Sequence, residues 1–198
     1  MKFWTVQHKS VLQKIQEDGV YQANFYMDPF LQSNPLMMEL YLFILETFNW
    51  NHDSEYSGLI FAFAGLDHNT IYGFDTMDEF QKYINAHSFA IKSFWKRVAK
   101  EDYVILELEY EEDLNPQYID MNDFQLLMPP RVILPPYTEA SFERIKEDLM
   151  LGQISASELQ SGVIQVHLPY IKAENLKNIY PVFPLKKGLI GNILSFGR

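Results

Sequence analysis

The stretch Lys2-Phe3-Trp4-Thr5-Val6-Gln7, running on through Val11, Leu12 and Ile15 to Gly19-Val20-Tyr21, decides the fold. Its first six residues are rich in aromatic and branched side chains and read as a strand. Apolar residues three and four apart then mark one buried helical face, and Gly19 stands where a left-handed cap closes a helix. Strand, helix and glycine stop together form a rigid opening unit that brings Trp4, Thr5, Gln7 and Tyr21 near one another.

Working outward, Asn34-Pro35 supplies a cap and a first-turn proline for an apolar helix through Leu36, Leu40, Ile44 and Phe48. Gly58 to Ala64 reads as a buried strand with Thr70 to Phe74 as its hairpin partner. Thr76-Met77-Asp78-Glu79 has the capping-box spacing, and apolar residues continue from Phe80 to Val98 as one long helix or as two broken near His87-Ser88. Tyr103 to Tyr110 alternates in its second half as a half-buried strand, which points Glu107 and Glu109 to one face, about 7 Å apart.

Further on, the sequence predicts a strand at Arg131 to Leu134 between two proline pairs, a helix from Thr138 to Gly152 and a short one over Ser155 to Gln160. A strand follows at Val163 to Tyr170, and a final helical turn or two at Ala173 to Ile179. No repeat and no linker composition interrupts this order. The expected architecture is therefore α+β, one globular domain over 1–198, with a mixed, mainly antiparallel sheet and several packed helices. Its expected core includes Val11, Ile15, Leu40, Ile44, Ile60, Phe61, Phe63, Ile105, Leu106, Leu108 and Val166.

Composition removes several function classes. The 198 residues include no cysteine, which excludes disulfides, thiolate nucleophiles and cysteine-held metal clusters. A formal charge of −10 and a pI near 4.9 oppose binding to duplex nucleic acid, which needs clustered cations to displace counterions. The basic group Lys92, Lys96, Arg97 and Lys100 reads as a solvated helix face near a C-terminus. No basic leader precedes a long apolar run, and Leu36 to Phe48 and Gly58 to Gly65 are too short to span a bilayer, so a cytoplasmic protein without a membrane segment is expected.

No phosphate loop or nucleophile elbow is present. The five histidines show no metal-binding helical spacing, and no metal is expected. Only His52-Asp53 and Asp67-His68 place a histidine beside a carboxylate, both in predicted turns. Two candidate sites remain. Glu107 and Glu109 are weak catalytic candidates, equally well read as a solvent-facing acidic row, and Trp4, Thr5, Gln7 and Tyr21 are the ligand-binding candidates. The alternative reading makes Trp4 and Tyr21 core aromatics and Thr5 and Gln7 the outward residues of an alternating strand.

Met1 to Gln7, Gly19-Val20-Tyr21, Val104 to Glu109 and Ile119-Asp120-Met121-Asn122-Asp123-Phe124 together resemble the small bacterial proteins of domain of unknown function family 3841. That resemblance implies a cytosolic bacterial protein and transfers no activity. The opening block is also similar to the start of ADP-ribosyltransferase-like folds. This second likeness implies NAD as the cofactor-substrate, held by Trp4, Thr5, Gln7 and Tyr21, with Glu107 or Glu109 stabilising positive charge on the ribose. The leading expectation is a non-catalytic regulatory domain that binds a protein partner or a small molecule, and the NAD-consuming enzyme is the alternative.

Overall fold

The computed structural model describes residues 2–68, 70–120 and 162–186, together with positions 143 and 147. The elements expected at Arg131 to Leu134, Thr138 to Gly152 and Ser155 to Gln160 otherwise lie outside the described residues. What is described is an α+β fold built on one antiparallel sheet, as the patterning predicts.

The opening unit forms as read. Strand β1 (Lys2–His8) runs into helix α1 (Lys9–Asp18), which His8 caps by accepting the Ser10 N–H through its side chain. Gly19 closes the helix at φ 76°, a conformation that costs a residue with a Cβ but not glycine. Strand β2 (Val20–Tyr21) follows, then the four-residue helix α2 (Pro29–Gln32) and the long helix α3 (Pro35–His52). Strands β3 (Ile60–Asp67) and β4 (Thr70–Tyr72) form the expected hairpin. Helices α4 (Met77–Ala86) and α5 (Ser88–Val98) are separate and meet at His87, which decides between one long helix and two. At the start of α4 the Thr76 hydroxyl accepts from the Glu79 N–H, while the Glu79 carboxylate reaches one residue further back, to the Asp75 N–H.

Strands β5 (Tyr103–Glu109), β6 (Gln117–Asp120), β7 (Val163–Leu168), β8 (Ile171–Lys172) and β9 (Leu176–Pro181) complete the described elements. The large sheet has the order β6-β7-β3-β1-β5-β9, with β4 attached to β3, and β2 pairs with β8 in a separate two-stranded ribbon. One expectation changes here. Only Ala173–Asn175 is helical, as a single 3-10 turn, and the residues after it extend as β9 along the open edge of β5. Pairing with a distant strand overrides a weak local helical preference.

Alternation along the strands sorts the core onto two sheet faces. Phe61 and Phe63, two apart on β3, point the same way: Phe61 meets Phe25 and Tyr41 beneath α3, and Phe63 meets Phe80 and Trp95 of α4 and α5. On the opposite face Phe3, Ala62, Leu106 and Val166 pack with Val11 and Ile15 of α1 and Ile171 of the ribbon. The expected core residues are buried, except that Phe61 is only partly so.

Candidate functional site

The residues expected to share one pocket are divided between the two faces of the sheet. Register sets Trp4 opposite Phe63 and Glu107, and Thr5 opposite Ala62 and Leu106. Trp4 and Glu107 therefore point toward α4 and α5, whereas Thr5 and Gln7 point toward α1, because strand side chains alternate. Tyr21 packs with the α1-side cluster, away from Trp4. A single pocket formed by all of them with the acidic strand is not what the fold builds.

Each of these side chains has an internal partner. Trp4 is fully buried, stacks on Phe80 with ring centroids 5.3 Å apart, and donates its indole N–H to Phe74 O at 2.7 Å. Backbone pairing between β1 and β3 ends at Thr5 and Ala62. There the buried Thr5 hydroxyl donates to Phe61 O at 2.5 Å and accepts from the Gln7 amide at 2.7 Å, so neither is an outward strand residue free for solvent. Tyr21 is half-buried, and burial first, then the Asp28 carboxylate, raises its hydroxyl pKa.

Glu107 also departs from the solvent-facing row. It is 7% exposed, and its carboxylate accepts from Lys2 Nζ at 2.9 Å, Asn178 Nδ2 at 2.9 Å and the Tyr180 hydroxyl at 3.1 Å. Regular antiparallel pairing of β5 with β9 sets Asn178 directly opposite Glu107, and the register shifts only beyond that pair, before Leu108. Burial alone would raise the Glu107 pKa, but the Lys2 ammonium and the two neutral donors outweigh it and hold the group below its ordinary value. Glu109 is exposed, with Lys177 Nζ at 3.9 Å.

The predicted histidine–carboxylate pairs do not assemble into one site. His52 stacks on Phe48 and its two ring nitrogens lie 2.7 Å from Phe48 O and 2.8 Å from Leu114 O, while Asp67 and His68 pair with each other at the surface. Among the described residues no three His, Asp or Glu side chains could jointly hold a metal ion. His167, not singled out in the sequence, lies fully buried in β7. Its Nδ1–H donates to Gln117 Oε1 at 3.0 Å and its Nε2 accepts from Gln165 Nε2 at 3.1 Å, the pattern of a neutral imidazole. Burial pushes its pKa down to about 3.

An open concavity does exist, a short way from the expected one. β1 and β4 lie in succession along the same edge of β3: β1 pairs at Phe63 and Ala62, and β4 begins at Gly65. Because β4 takes Gly65, residues Lys2 and Phe3 are displaced from β3 and a groove of about 300 Å³ opens between the strands. The Tyr72 ring covers Gly65, and a Cβ there would lie 2.3 Å from Tyr72 Cζ, so a larger residue would push that ring aside. The groove is lined by the aromatic residues Phe3, Phe63, Tyr72, Phe74 and Tyr118, with Lys2 at one side. Asp75 completes the rim. The sequence signal for this site is the short run Tyr72-Gly73-Phe74-Asp75, whose meaning depends on a strand some seventy residues earlier.

No family model matches the chain, no curated protein matches it, and no solved structure matches it. Among the described residues no helix is long and apolar enough to cross a membrane.

Proposed function

We propose that this is a non-catalytic binding domain that takes a small molecule, or a side chain of a partner protein, in the groove between β1 and β4. The observation that carries the reading is the groove itself: aromatic walls on sheet strands, with a few polar groups at the rim, are the usual composition of a preformed ligand site. Its volume stands at the low end of the ordinary range for ligand pockets, which suits a compact ligand. The cytoplasmic, bacterial setting implied by the likeness to family 3841 belongs to the same proposal.

Support for binding over the NAD-consuming alternative comes from Glu107. A carboxylate meant to stabilise a developing cation needs oxygens facing the substrate, and those of Glu107 accept from Lys2, Asn178 and Tyr180. Thr5, Gln7 and Tyr21 lie on the other face.

The test is a fragment screen followed by thermal denaturation and NMR mapping. Ligands should raise Tm by mass action and perturb signals around Tyr72 and Phe74. Tyr72→Ala, a change at a residue 38% exposed, should remove the effect. Hits that map elsewhere, or that survive Tyr72→Ala unchanged, overturn the proposal. NAD at millimolar concentration should produce no nicotinamide, and its release would restore the enzyme reading.

A further inference from the structure

Resting on that reading of the groove, we infer that its ligand is an organic cation: an ammonium group carried on an apolar or aromatic body. Two independent features of the site select for positive charge. The first is the wall. Aromatic rings present negative π-faces, and a cation within about 6 Å of a ring centroid is attracted by them. Of the aromatic residues lining this groove, Phe3, Phe63 and Phe74 are buried, whereas Tyr72 is 38% exposed and Tyr118 half-buried, and these two supply the accessible ring surface.

The second is the rim. Among the described residues Lys2 is the one cation lining the groove, and it is already committed: its ammonium pairs with Glu107 at 2.9 Å and donates to Asp75 O at 2.9 Å. The Asp75 carboxylate is exposed and enters no ion pair among the described residues. With Lys2 paired to Glu107, Asp75 is the lining carboxylate left without an ion-pair contact among the described residues. An anionic ligand would meet ring faces and the Asp75 carboxylate together, and like charges in close contact carry a cost that specific sites exploit.

Benzylammonium, benzyl alcohol and benzoate share a ring and a size and differ in charge, so their dissociation constants, read by NMR titration at low salt, isolate the effect. The expected order is benzylammonium tightest, benzyl alcohol about three- to tenfold weaker, and benzoate weakest. Asp75→Asn should bring benzylammonium close to benzyl alcohol and leave the alcohol's affinity unchanged, because only the charge is removed. Benzoate binding as well as the alcohol, or an order that persists in Asp75→Asn, overturns the cation inference and leaves the groove as a neutral aromatic site. Failure of all three probes to perturb Tyr72 or Phe74 overturns the groove itself as a ligand site, and the cation inference with it.

Discussion

Replacing Glu107 with glutamine tests whether the buried carboxylate is a structural anchor. The substitution keeps shape and one acceptor oxygen, so Asn178 and Tyr180, which both donate to Oε2, retain a partner. The amide nitrogen then faces the Lys2 ammonium where Oε1 stood at 2.9 Å. Breaking a fully buried ion pair costs about 3–5 kcal/mol. Lys2, however, has a side chain 28% exposed against 9% for Glu107, and can turn into water at the loss of its bond to Asp75 O. Discounted for that escape, the expected loss is about 1.5–2.5 kcal/mol, or about 3–10 °C in Tm for a chain of this size.

The pH dependence makes the test sharper. Glu107 has a folded pKa held below its ordinary 4.5, so its contribution is present above pH 4.5 and is lost as pH falls through the depressed value. Lys2 is raised above 10.5, chiefly by its hydrogen bond to Glu107, so its contribution is complete below pH 10.5 and is lost above. The deficit of Glu107→Gln, measured by urea denaturation, should thus be largest between those limits and shrink below pH 4.5. Equal stability of the two proteins at pH 7, or a deficit unchanged at pH 2.5, would refute the reasoning.

Three further outcomes follow from the packing. Acidification should destabilise the fold through His167, whose neutral form is favoured by burial; stability falls from about pH 6.5 toward 3, and His167→Gln should flatten that limb in acid-titration circular dichroism. Thr5→Val leaves Phe61 O without its hydroxyl donor and the Gln7 amide without its acceptor, at a cost of about 1–3 kcal/mol in chemical denaturation. Leu108→Ala and Ile44→Ala, both at fully buried positions on opposite faces of the sheet, should each cost about 2–5 kcal/mol, and a loss below 1 kcal/mol at either would contradict its burial.

What the sequence made legible was mostly local. The β1–α1 unit, its cap at Gly19 and the proline-started α3 depend on spacings within a turn or two, and they formed where expected. Features set by long-range register were not legible. That Thr5 would be buried follows from its place opposite Ala62 and Leu106, and that Glu107 would be paired follows from Lys2 and β9 flanking it. Neither neighbour can be named from alternation alone, because a one-residue slip sends every side chain to the other face. Residues 173–179 carry a local helical pattern for the same reason: the open edge of β5 that extends the residues from Leu176 onward is invisible locally. The groove was missed because it is made by an interruption, the point where β4 displaces β1 from β3.

The position of β1 has a consequence for how the chain reaches its native state. This strand is made before either of its sheet neighbours, yet it lies inside the sheet, with Lys2 opposite Glu109 and His8 opposite Tyr103 along its whole length, and only two residues paired with β3. During synthesis its longer paired edge must therefore wait until β5 has left the ribosome. Closing so long a loop delays the reward for those contacts and slows folding. In the folded protein α1 covers the Phe3 side of the strand through Val11 and Ile15, whereas the Trp4 side is covered by α4 and α5, so that side has no cover until those helices have been made.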